Sequence, residues 1–142
     1  MTTRPPVRVL VDAGPLIAMM DRSEATHAEI AEWIRRYRGE LITTWPVLTE
    51  VCHLLPSHLT PRLLQWVAAG GVTIMEVPAA ALAQMAERMH VYADLPMDLA
   101  DATLLWTAEQ TGVMDILTLD RRDFGVYRTT RGLLLRDVLT AS

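Results

Sequence analysis

At 142 residues the chain has room for one domain with a real core and is too short for two ordinary ones. Its 51% apolar and 21% charged residues exclude a disordered chain. No apolar run reaches the ~18–20 residues that span a bilayer, and the lone Cys52 excludes an intramolecular disulfide or a cysteine cluster for zinc. The net charge of −4 is unusual for a nucleic-acid-handling protein, but a group of acidic metal ligands would itself supply several negative charges. All 13 basic residues are arginine, whose planar fork suits phosphate oxygens. Met1 to Arg8 lacks the apolar stretch and cleavage site of a secretory signal, so a cytoplasmic location is the expectation.

The pattern alternates strand and helix. Val7–Val11 is a short apolar run of the buried parallel type, broken by Asp12-Ala13-Gly14-Pro15, with Pro15 suited to a first helical turn. Asp21 with Glu24 three residues later predicts a capping box and a helix to about Tyr37, ended by Gly39. Leu41–Trp45 reads as a second strand, and Pro46 starts a helix to about Leu55. Thr60-Pro61 opens a helix closed by Gly70-Gly71, followed by a third strand over Val72–Val77. Pro78 begins a helix to about Tyr92, and Asp98 another through Thr111, stopped by Gly112. Ile116–Leu119 is a fourth strand ending at Asp120, and the remainder has space for a fifth edge strand. Strands separated by helices imply parallel pairing, hence one α/β domain in three layers, α/β/α, over residues 1–142.

The informative residues are carboxylates that local structure does not explain. Asp12 and Asp120 each follow a predicted buried strand, and the carboxyl edge of a parallel sheet is where ligands bind. Glu50 shares a helix face with Val47 and Leu54, where an unpaired carboxylate carries a large desolvation cost. Asp101 shares a face with Leu105 and Ala108; it reads either as first-turn capping chemistry or as a ligand, and Asp98 reads first as an N-cap. Such carboxylates repel one another unless protonated or neutralised, and a hard divalent cation, Mg²⁺ or Mn²⁺, resolves the conflict. A cation on carboxylates with water positions open is the apparatus of phosphodiester hydrolysis.

The segments Val9-Leu10-Val11-Asp12-Ala13-Gly14-Pro15-Leu16-Ile17-Ala18, Thr49-Glu50-Val51, Asp94-Leu95-Pro96-Met97-Asp98-Leu99-Ala100-Asp101-Ala102 and Leu117-Thr118-Leu119-Asp120-Arg121-Arg122-Asp123-Phe124 together resemble the PIN-domain ribonucleases, most closely the VapC-type toxins of toxin–antitoxin pairs. Each motif alone is weak, and the order and spacing of the set carry the resemblance; Pro56–Tyr92 matches only in its helix–strand–helix pattern. The resemblance implies a PIN-like domain with a central, mainly parallel sheet between helical layers. It implies Asp12, Glu50, Asp101 and Asp120 as the metal-binding catalytic quartet, with Asp98 as an extra ligand and Thr49 and Thr118 in support. It further implies an RNA substrate, a homodimer and a cognate antitoxin that reaches into the acidic cleft. Arg121 and Arg122 are the candidate RNA-backbone contacts.

Other readings are a PIN-family RNA-processing nuclease without toxin duty, and a non-catalytic binding module whose carboxylates are caps and surface groups. A phosphotransferase of the haloacid-dehalogenase type needs a second Asp two residues after the first, where this chain has Gly14. His27, His53, His58 and His90 lack zinc-ligand spacing, and Cys52 lacks a base nearby in sequence. Trp33, Trp45, Trp66 and Trp106 are expected in the core, with a dimer or antitoxin surface as the alternative for any that are exposed.

Overall fold

The computed structural model describes residues 6–140; Met1–Pro5, most of the segment inspected for a secretory signal, lies outside the described residues. The strands are β1 (Arg8–Val11), β2 (Glu40–Thr44), β3 (Thr73–Met75), β4 (Asp115–Leu117) and β5 (Arg136–Asp137). They form a sheet in the order β3-β2-β1-β4-β5 in which every pairing is parallel, so the sheet is wholly rather than mainly parallel. The central strand β1 is fully buried at Val9, Leu10 and Val11, as a strand covered on both faces must be. The helices are α1 (Ala13–Met20), α2 (His27–Arg36), α3 (Trp45–Leu54), α4 (Thr60–Ala68), α5 (Leu82–Val91), α6 (Leu99–Thr111) and α7 (Arg121–Phe124). The predicted α/β architecture is thus the observed one, and no helix among the described residues is long and apolar enough to cross a membrane.

Several boundaries differ from expectation for identifiable reasons. The helix expected from Asp21 starts at His27 instead: Asp21 Oδ1 accepts from both the backbone N–H and the hydroxyl of Ser23, which closes a tight turn in place of a helical cap. The helix expected from Pro78 opens with a single 3₁₀ turn over Ala79–Ala81 before α5 begins. The fourth strand ends at Leu117, two residues early, because the Asp120 N–H turns back to the Thr118 hydroxyl at 2.9 Å. Gly112 ends α6 as expected, in the left-handed conformation at φ 74° that favours glycine.

Helix α6 organises the interior. It is buried without a break from Ala100 to Ala108, so it has no solvent face over most of its length. Its threonines satisfy themselves: Thr103, Thr107 and Thr111 donate to the carbonyls of Ala100, Thr103 and Thr107. Thr103 also shares a 2.7 Å hydrogen bond with the buried hydroxyl of Thr44 at the end of β2. The start of α6 is thereby tied to the carboxyl edge of the sheet.

A second tie runs through Tyr127, which is fully buried just beyond α7. Its hydroxyl donates to the carbonyl of Pro96 at 2.8 Å and lies 3.1 Å from that of Leu95, and its ring meets Phe124 and Tyr92 edge-on. The loop leading into α6 is therefore pinned to the segment that follows β4. Tyr127→Phe, which leaves both carbonyls without this donor, is expected to lower stability by about 1–3 kcal/mol. Urea unfolding of the two proteins measures the difference.

Candidate active site

Asp12 is the first residue after β1 and the N-cap of α1. Its Oδ1 accepts from the Ala13 N–H at 2.8 Å and its Oδ2 from the Thr118 hydroxyl at 3.0 Å, with 8% of the residue exposed. Both oxygens are thus oriented by residues that leave the carboxyl edge of the sheet, Ala13 after β1 and Thr118 after β4. Thr118 in turn accepts from the Asp120 N–H, so one hydroxyl couples the ends of β1 and β4. Burial raises the Asp12 carboxyl above its ordinary range against the pull of these two hydrogen bonds, and the charges of Asp120 and Asp98 raise it further.

Asp98 and Asp101 form a reciprocal capping box at the head of α6. Asp98 Oδ1 accepts from the Asp101 N–H at 2.8 Å, and Asp101 Oδ2 from the Asp98 N–H at 3.3 Å. The N-cap reading of Asp98 is what the structure contains. Capping does not exhaust Asp101, which is 8% exposed. Burial first, then the charges of Asp98 and Asp12, push its carboxyl up to about 8. A carboxylate that served only as a cap would gain from ionising at a helix N-terminus; this one is held in its acid form by burial first and then by its acidic neighbours.

Glu50, in the middle of α3, is half-buried and likewise raised, by burial and then by Asp98, Asp12 and Asp120. Asp120 caps α7, accepting from the Asp123 N–H at 3.1 Å, so it stands on a short helix rather than at the end of β4. Asp123 is pushed up to about 6, by burial and then by its contact with Asp120. Asp12 therefore lies within electrostatic reach of Asp98, Asp101, Asp120 and Glu50 at the carboxyl edge of the sheet, and Asp123 within reach of Asp120 and Asp98. Among the described residues no three of them converge into a ready ion cage. An all-oxygen donor set of this kind fits a hard cation that keeps much of its own water and takes only one or two direct carboxylate ligands, which is the habit of Mg²⁺.

No family model matches the chain. It is 28% identical over 128 residues to Ribonuclease VapC26 of Mycobacterium tuberculosis, covering 87% of this chain and 95% of that protein. The crystal structure of Mycobacterium tuberculosis VapC20, described as a sarcin–ricin loop cleaving toxin, superposes with a TM-score of 0.75 at 17% identity, over 84% of this chain and 95% of that one. The chain is thus similar in sequence to a VapC ribonuclease and shares its fold with a VapC toxin.

Other residues singled out in the sequence take varied places around this acidic centre. Thr49, expected to support the carboxylates, donates its hydroxyl one turn back to the Trp45 carbonyl at 2.9 Å. Arg121 is ion-paired with Asp137 at 3.3 Å, which aims it at β5, whereas Arg122 is exposed and its charge lowers Asp123. Of the tryptophans expected in the core, Trp106 is buried and Trp33 and Trp66 are partly so, but Trp45 is half exposed. Tyr127, which fixes the approach to Asp98, carried no sequence signal because its partners lie 31 and 32 residues away.

The acidic centre has a consequence for stability without divalent cations. Folded Asp101 keeps its proton to about pH 8, while the unfolded chain releases it near the ordinary value of 3.8. Between those limits the folded state binds more protons, so stability falls as pH rises through the window. Asp101→Asn, which keeps an oxygen for the Asp98 N–H, is expected to raise the melting temperature at pH 8 in chelator and to leave it close to wild type at pH 4. Equal curves at pH 8 would show that the carboxyl is not held above its ordinary range by burial and its acidic neighbours.

Proposed function

We propose that the chain is an endoribonuclease that hydrolyses RNA phosphodiester bonds with Mg²⁺ or Mn²⁺, and that it is the toxin of a VapBC-type toxin–antitoxin pair. The gathering of Asp12, Glu50, Asp101 and Asp120 at one edge of a parallel sheet carries this reading, and the likeness to Ribonuclease VapC26 supports it. Asp12 and Asp101 are the ligands best held in place, one by Thr118 and Ala13, the other by the capping box. Glu50 and Asp120 would complete the set that holds the cation, with Asp98 as a further acidic neighbour.

The cation, when bound, lowers the pKa of a coordinated water and offsets charge building on the phosphate. The protein's part is orientation and proton handling. Thr118 locks the Asp12 carboxylate, and the buried head of α6 keeps Asp101 from swinging away. Glu50, reaching the centre from α3 and raised in its pKa, is placed to take a proton from the attacking water. The water oxygen forms the new bond to phosphorus, and the bond to the leaving oxygen breaks. Arg122 faces solvent beside Asp120 and is free to meet the RNA backbone.

Asp12→Asn and Asp101→Asn are expected to abolish cation-dependent cleavage of total cellular RNA while keeping the fold by circular dichroism. Thr118→Val, which only releases Asp12, should cost ~10–100-fold in rate or cation affinity. Cleavage by Asp12→Asn at the wild-type rate would remove the reading.

The homodimer, the cytoplasmic location and the antitoxin belong to the same proposal. Exposed Leu54 and Leu64, on α3 and α4, are apolar surface of the sort a subunit contact covers. Sedimentation is expected to give twice the 15.9 kDa chain mass.

A further inference from the structure

Trp45 is the one exposed aromatic residue among those described: every other tryptophan, tyrosine and phenylalanine is buried or partly buried. It is the first residue beyond β2, as Asp12 is the first beyond the neighbouring strand β1, so the two leave the same edge of the sheet from strands about 4.8 Å apart. Its exposure of 50% is not looseness. The indole N–H donates to Glu76 Oε1 at 3.1 Å, the Trp45 carbonyl accepts from Thr49, Pro46 follows it in the first turn of α3, and Thr44 beneath it is locked to Thr103. The edge of the ring is held while the ring remains half open to solvent.

Burying such a ring would stabilise the fold, and its neighbours show what it is suited to meet instead. Thr49, Glu50 and Glu76 are polar or acidic, and the next exposed apolar residue on α3 is Leu54, at the far end of the helix. A ring whose indole partner and nearest exposed companions on α3 are polar or acidic offers an apolar protein helix no continuous stripe along α3, and a phosphate alone is repelled by the carboxylates. The ring is matched to a nucleobase, which stacks on aromatic faces whatever its sequence.

We propose that Trp45 is a stacking platform for an unpaired base flanking the cleaved bond, making an RNA with an extruded or single-stranded nucleotide the preferred substrate. This rests on the nuclease reading above. Trp45 would act as a binding and positioning residue: it holds a neighbouring base so that the phosphate meets the carboxylates.

The test uses a synthetic stem-loop copying a cleavage site mapped in total cellular RNA with Mn²⁺, with each nucleotide flanking the cut replaced in turn by an abasic one. One position is expected to cost the wild type ~5–150-fold in kcat/KM, the range for one lost base–aromatic stack. Trp45→Ala should lose a similar factor on the intact RNA, be indifferent to the abasic change at that position, and keep the wild-type melting temperature within a few degrees. Trp45→Phe should recover most of the rate. If Trp45→Ala cleaves as the wild type does, or if its loss multiplies with every abasic change, the platform is overturned while the nuclease reading stands. A Trp45→Ala variant that cleaves normally but no longer retains a co-expressed antitoxin assigns the ring to a protein contact and also overturns it. If wild-type protein maps no cleavage site at all, the nuclease reading fails first and the platform with it.

Discussion

The mutual repulsion of buried carboxylates at the carboxyl edge of the sheet is the constraint around which the molecule is built. Asp12, Asp101 and Glu50 are raised first by burial and then by the charge of acidic neighbours, Asp98 among them in each case, and none of the three has an ion-pair partner among the described residues. Folding has to impose this grouping against its electrostatic cost. The means are visible in how each acid is held: Asp12 by the Thr118 hydroxyl and the Ala13 N–H, Asp101 by a capping box, Asp120 by the Asp123 N–H. Hydrogen bonds that would serve any helix terminus here fix acids along one edge of the sheet. Stability given up at such a centre is a familiar correlate of chemistry at that centre.

Much of this was legible in the residue order, because the strongest signals were local. A run of Val-Leu-Val ending in Asp marks a buried strand with its carboxylate at the ligand-binding edge, and Asp98 followed by Asp101 marks a helix start. The α/β alternation followed from Pro and Gly punctuation between apolar segments. Less legible was anything decided by side chains competing for the same backbone group. Asp21 satisfies Ser23 instead of capping a helix, and Thr118 draws the chain out of β4 two residues early.

Contacts between distant parts of the chain were not legible at all. Tyr127 fixes the loop before Asp98 through a partner 31 residues away, and no periodicity announces such a bond. Trp45 shows the converse failure. Hydrophobicity places a tryptophan in the core by default, and only the topology reveals that this one stands where the sheet ends, with Glu76 of the adjacent connection taking its indole N–H.

The flanks of the sheet have a consequence of their own. On one side it stops at β3, three residues long, and on the other at β5, two residues long. The β5 margin also carries Arg136 paired to Asp115 and Asp137 paired to Arg121. So little free backbone on either rim gives another molecule almost no ladder to extend, which protects an all-parallel fold from fibrous self-addition. Assembly by adding strands is therefore disfavoured at both rims of the described sheet.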